Sequence, residues 1–164
     1  MTTVPAEADV RAVLAGVPDP EIPVISIEDL GILRSVEIDR NGAITVTVTP
    51  TYSGCPAMEE IRVDILAALH ARGWPDVVVR TVLAPAWTTD WMSEAGRRNL
   101  AEFGIAPPTR TVGGPVAVAL TSRIRCPQCG SGDTEELSRF ASTSCKALWR
   151  CRSCREPFDH FKDH

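Results

Sequence analysis

Six cysteines occur in this chain, and their placement is the first clue to its chemistry. Five lie between Cys126 and Cys154, and Cys55 stands alone. Cys126-Pro127-Gln128-Cys129-Gly130 and Cys151-Arg152-Ser153-Cys154 form two knuckles with 21 residues between them. A two-residue gap lets both thiolates of a tight turn bond one tetrahedral ion while nearby amides donate to the sulfurs. Two such turns close a four-cysteine site. Cys126, Cys129, Cys151 and Cys154 are therefore the expected ligands of one zinc per chain. Its role would be structural, because four protein ligands leave no open position for a reacting group. A lone iron or a pair of disulfides are competing fates of the same pattern. A module of about forty residues has too little core to fold unaided, and metal binding can supply the missing folding energy.

Cys145 makes no knuckle with Cys151, six residues further on. It reads first as a buried packing cysteine, with ligand exchange and a functional thiol left open. His160 and His164 read as an exposed tail rather than as spare ligands.

Cys55 sits in Thr51-Tyr52-Ser53-Gly54-Cys55-Pro56. Pro56 suits the first position of a helix, which puts Cys55 at or next to the N-cap. There the helix dipole and unpartnered amides favour thiolate over thiol, making a reactive nucleophile or a soft-metal ligand. A small apolar filler is the plainer reading. Asp19 and Glu21 flank Pro20 in a stiff loop. By themselves they are solvated carboxylates of a helix-ending turn; near Cys55 they would bind iron or move protons. Asp29 reads as a cap or turn residue. His70 is the one histidine in the first 105 residues and belongs to a helix, so a Cys-His catalytic pair has little support.

The elements that must position these residues follow from local pattern. Val10, Val13, Leu14 and Val17 have helical spacing, predicting a helix over 6–15. It must stop before Pro18-Asp19-Pro20-Glu21-Ile22-Pro23. Stretches 32–39 and 43–49 alternate apolar and polar residues around Asn41-Gly42, a strong hairpin signal. A second helix follows Pro56, burying Ile61, Ile65, Leu66 and Leu69 and ending at Gly73. Residues 76–83 read as a third strand. A third helix is expected from Asp90 to Phe103, capped by Thr88 or Thr89 and stopped by Gly104. Trp87 and Trp91 read as core aromatics around that cap, with an aromatic docking wall as the alternative. The fold class is α/β (α+β): a small two-layer domain, helix-strand-strand-helix-strand-helix, over 1–105. A linker over 106–115 leads to a zinc ribbon over 116–164, opening with a segment at 116–120.

Composition narrows the function classes. The chain has 164 residues, 44% of them hydrophobic, with net charge −4. Residues 1–105 carry 8 arginines, no lysine and 15 acids, hence −7; the remainder carries 9 basic and 6 acidic residues, hence +3. Four thiolates and one Zn²⁺ would bring that +3 down to about +1, which argues against nucleic-acid binding. No stretch approaches the roughly 18 apolar residues of a membrane span, and residues 1–9 carry no apolar run. The expectation is a soluble, cytoplasmic protein, since paired C-x-x-C motifs suit metal binding in a reducing compartment.

Three segments resemble a known family. Asp19-Pro20-Glu21-Ile22-Pro23, Ile27-Glu28-Asp29-Leu30-Gly31 and the Thr49–Pro56 loop are similar to the iron–sulfur assembly domain shared by SufT and cytosolic cluster-targeting factors. That likeness covers roughly residues 8–105, and its most specific part is the loop holding Cys55, the family's reactive residue. Over nearly the full length, Pro85-Ala86-Trp87-Thr88-Thr89-Asp90-Trp91-Met92-Ser93, Ser144-Cys145-Lys146-Ala147-Leu148, Cys151-Arg152-Ser153-Cys154 and Glu156-Pro157-Phe158 resemble the PaaD (PaaJ) family of the bacterial phenylacetate pathway.

The resemblance implies an accessory protein of the multicomponent monooxygenase that converts phenylacetyl-CoA to its 1,2-epoxide, rather than the oxygenase itself. Its expected task is assembling or repairing the iron–sulfur or iron centre of the reductase and oxygenase partners, especially the iron–sulfur flavin reductase. Transient iron or an iron–sulfur species would then be carried on Cys55. The residues agree with an accessory role: there is no nucleotide loop, no flavin pattern and no Glu-x-x-His pairs for a di-iron bundle. A structural docking subunit without metal transfer is the alternative, and a thiol enzyme lacks a visible base. A small domain with an exposed strand edge is also a candidate homodimer.

Overall fold

The computed structural model describes residues 4–109 and 124–164. Most of the expected linker and the expected segment 116–120 lie outside them. The chain divides into two compact units. The first takes the chain up to Trp87 together with Trp91–Ser93; the second takes Thr88–Asp90 and everything described from Glu94 on.

In the first unit, α1 (Glu7–Leu14) buries Val10 and Leu14 and packs on α2 (Ala57–His70) and on β1 (Leu33–Ile38). β1 and β2 (Ile44–Val48) form the antiparallel hairpin read from the sequence, with Val36 opposite Val46 and Ile38 opposite Ile44. Its turn is closed by Asp39, whose carboxylate accepts the amides of Asn41 and Ala43 at 2.8 and 3.0 Å. Gly42 there has φ +88, which asks for glycine.

α2 (Ala57–His70) crosses over to β3 (Val77–Thr81), which lies parallel to β2 and so needs a connection of this length. Ala57, Ile61, Ile65 and Leu69 form its buried stripe, while Leu66 is half-buried. Ile44, Val46 and Val48 face this layer; Thr45 and Thr47 face the other side of the sheet. The sheet order is β1-β2-β3, leaving β3 at an edge.

The stretch after β3 corrects one expectation. The third helix, α3 (Glu94–Phe103), begins four residues later than Asp90; a single 3-10 turn spans Thr89–Trp91 instead. Tertiary contacts hold the intervening residues away from helical form. The Trp87 indole, 5% exposed, donates to the Leu30 carbonyl at 3.1 Å. Trp91 lies so close to Gly31 that a Cβ there would meet it at 2.7 Å, and the Arg34 guanidinium covers its ring at 3.4 Å. The Ser93 amide and hydroxyl both donate to Asp29. Trp87 is thus a core residue and not an exposed wall.

In the second unit, α3 ends at Gly104 (φ +94) and leads into a two-residue strand, β4 (Ile105–Ala106). β4 pairs in parallel with β7 (Pro157–Phe161). β5 (Thr134–Ser138), β6 (Lys146–Cys151) and β7 are antiparallel, in the order β4-β7-β6-β5. Ala106, Ile124, Cys126, Cys151 and Phe158 form the small core, with Trp149 against it. Buried Arg97 is held by the carbonyls of Thr89 and Pro108, each at 2.7 Å. α3 and Ile105, expected at the close of the first domain, and Ala106, expected in the linker, group here with the ribbon.

Candidate functional site

Cys55 lies one residue before Pro56, the N-cap of α2. Gly54, at φ +84 with open space around it, turns the chain so that the Cys55 amide reaches the Tyr52 carbonyl at 3.3 Å. The thiol is half-buried. Burial pushes its pKa up; the Ala57 amide and the Tyr52 hydroxyl pull it down; the charges of Glu21 and Asp19 push it up again. The net direction is upward, so the expectation of a favoured thiolate at the helix start is corrected. The Ala57 amide acts as foreseen, but desolvation and two carboxylates outweigh it and the Tyr52 hydroxyl together.

The carboxylates owe their place to the proline loop. Pro18 bridges to Ser26, the Asp19 amide donates to the Ile25 carbonyl at 2.9 Å, and Ile22, Ile25 and Ile27 are buried beneath. Asp19 is 5% exposed, and its carboxylate accepts the amides of Glu21 and Ile22 at 2.9 and 2.8 Å. It is therefore not a solvated turn residue. Glu21 is half-buried. Both act on Cys55 through their fields. Among the described residues, they do not converge with its sulfur into a ready ligand set; the four ribbon cysteines are the group that does so. His70 sits at the far end of α2, some 20 Å of helix away, and does not serve Cys55.

In the second unit, the sulfurs of Cys126, Cys129, Cys151 and Cys154 lie within 4.8 Å of one another. Cys126–Cys154 and Cys129–Cys151 are 3.7 and 3.6 Å apart. A tetrahedral ion with metal–sulfur bonds of about 2.3 Å needs sulfurs about 3.8 Å apart, so the donor set fits zinc. The knuckles match in backbone form as well. The Cys126 amide bonds the Ser131 carbonyl at 2.9 Å and the Cys151 amide the Glu156 carbonyl at 3.0 Å. The residue after the second cysteine is left-handed in both: Gly130 at φ +74, Arg155 at φ +69. The Ser131 and Ser153 hydroxyls join the two turns at 2.8 Å.

The Cys154 amide, aimed at the Cys151 sulfur, leads in pushing that thiol down to about 6. For Cys154 the Glu156 amide acts downward, yet burial and the neighbouring sulfurs push it up to about 12. Four thiols this close cannot all ionise alone; a divalent cation among them removes that conflict.

Cys145 is buried outside this group, its sulfur 3.1 Å from the Thr143 hydroxyl, as a packing cysteine would be. His160 is not a tail residue: it is buried in β7, edge-on to Trp149 with ring centroids 6.0 Å apart, and burial lowers its pKa. The period-2 pattern of β7 was the missed signal. His164 is exposed, and its main-chain oxygen accepts the Thr88 hydroxyl at 3.0 Å. No helix among the described residues is long and apolar enough to cross a membrane.

Comparison with known proteins matches the two parts of the chain to two different families. Residues 7–82 match the family described as iron-sulfur cluster assembly protein. Residues 113–162 match the PaaD zinc beta ribbon domain. A putative 1,2-phenylacetyl-CoA epoxidase subunit of Escherichia coli is 48% identical over 96% of this chain and 93% of its own. An Fe-S protein maturation auxiliary factor of Porphyromonas gingivalis is 37% identical over 57% of this chain and 90% of its own. Among solved structures, a domain of unknown function (DUF59) from Bacillus anthracis superposes with TM-score 0.54 at 30% identity, covering 57% of this chain and 90% of that one.

Proposed function

Because the chain belongs to the PaaD family, that of the Escherichia coli epoxidase protein, we propose that it assembles or repairs the iron–sulfur or iron centre of epoxidase partners, foremost the reductase, through Cys55. The supporting observation is the setting of that thiol. Cys55 is half-buried at the head of α2, under the fields of Glu21 and Asp19. The carboxylate charges that oppose a bare thiolate also attract a cation. A thiol in such a place stays protonated and quiet at rest, then gives up its proton as a soft metal ion or cluster arrives as cargo. Likeness to Fe-S protein maturation factors agrees with this reading. In the ribbon, Cys126, Cys129, Cys151 and Cys154 would hold a resident zinc, which stabilises the fold and leaves no position open for cargo.

The test is the iron and acid-labile sulfide content of the reductase, purified from cells carrying wild type or Cys55→Ala. The expected result is a folded variant and a reductase with less than half its cluster. Full cluster content would end the proposal.

The raised pKa of Cys55 also favours a second reading, in which the thiol is a packing residue and the chain serves the epoxidase as a docking component. Then Cys55→Ala leaves both cluster content and co-purification unchanged, whereas Cys126→Ser abolishes association with the epoxidase components.

A further inference from the structure

Among the described residues, the outer edge of β3 is an open row of backbone groups. The Asp76 carbonyl accepts the Ile44 amide and the Val82 amide donates to the Val48 carbonyl, so even-numbered residues of this strand turn their backbone toward β2. By alternation, the N–H and C=O groups of Val77, Val79 and Thr81 point away from the sheet. One face of the strand is exposed: Val78 is 51% exposed, and Asp76, Arg80 and Thr81 are exposed as well, while Val77 and Val79 are half-buried. Long, apolar open edges are normally blunted, because they template pairing with another chain.

The charges on this edge are self-complementary rather than protective. Asp76 and Arg80 lie on the same face, two residues either side of Val78, and roughly 13 Å apart along the strand. That is too far to pair within one chain, and neither makes an ion pair among the described residues.

We propose that two copies of this chain pair through β3, antiparallel about a two-fold axis at Val78, joining their sheets into one. This register sets Val77 opposite Val79 of the second copy, and both are outward-facing, as a hydrogen-bonded pair requires. It sets Val78 against Val78 and each Asp76 against an Arg80, at non-hydrogen-bonded positions where side chains come closest. Pro75 falls opposite Thr81 and, lacking an N–H, ends the ladder. Shifting the axis to Val79 would leave both charges facing valines, so the charges select the register. A two-fold interface is self-complementary by nature, which is what this strand offers. The pairing is independent of the role assigned to Cys55.

The test is sedimentation of the full chain over a range of concentrations. Wild type should dimerise. Asp76→Arg or Arg80→Asp, each changing two contacts by symmetry, should weaken dimerisation by about tenfold or more. The double swap D76R/R80D should restore it. A second reading needs no variant: amide exchange at Val77 and Val79 should slow as concentration rises, while Val78, bonded to β2, is protected throughout. A wild type that stays monomeric at several hundred micromolar, single reversals without effect, or a swap that fails to restore would overturn the proposal. So would concentration-independent exchange at Val77 and Val79.

Discussion

Two cysteine settings in one chain show opposite uses of the same side chain. In the ribbon, four sulfurs converge within 4.8 Å, each knuckle aims amides at them, and the small core is built around Cys126 and Cys151. The fold there depends on its thiols. Cys55 is the reverse: the first unit buries Ile61, Ile65, Leu69 and the valines of β2 without any help from it. Its thiol stays half-exposed under two carboxylates. Sulfurs that complete a fold serve its stability; a sulfur outside the core is the one that the proposed function assigns to work on a partner.

The strongest way to break this contrast is to remove the ribbon metal. Structural sites of this kind contribute on the order of 10 kcal/mol to folding. Chelation, or Cys151→Ser, is expected to abolish zinc content and the amide dispersion of β5, β6 and β7 in NMR spectra, while signals of β1 to β3 persist. Cys55→Ala should keep one zinc per chain; loss of metal from that variant would merge the two settings into one.

Smaller effects should separate the causes acting on Cys55. Glu21→Gln and Asp19→Asn each remove a charge that raises its pKa, with Glu21 ranking ahead of Asp19. At pH 7.5 alkylation of Cys55 by a neutral thiol reagent should quicken severalfold in Glu21→Gln and less in Asp19→Asn. Unchanged rates in both would mean that burial alone sets its protonation.

The smallest expected effect lies in the second knuckle. Arg155 occupies the left-handed position that Gly130 fills in the first. Arg155→Gly should therefore stabilise the ribbon by about 1 kcal/mol, read as tighter zinc retention in a chelator competition. A loss of stability would show that the Arg155 side chain matters more than its backbone.

Much of this was legible in the sequence, wherever the cause was local. Asn41-Gly42 specifies the hairpin turn through the dihedral angles it tolerates, the Ile61-Ile65-Leu69 spacing specifies which side of α2 is buried, and the C-x-x-C spacings specify where four sulfurs meet. The start of α3 was not legible. Thr88 and Thr89 look like caps, but Trp91 is held against Gly31 and Ser93 against Asp29, some sixty residues earlier. A cap signal describes what a helix start accepts, not what a distant residue has already claimed. The two-residue strand β4 was hidden in the same way, since its pairing partner in β7 lies some fifty residues downstream.

The sequence by itself determined the order of α1, β1, β2, α2 and β3, the hairpin, the four-cysteine cluster and the position of Cys55 beside a helix start, because short-range geometry and residue chemistry suffice for each. Only the tertiary structure decided the sign of the Cys55 shift, the burial of Asp19 and His160, and the open edge of β3. Desolvation, long-range fields and strand order depend on which segments fold against one another, and spacing along a chain carries no record of that.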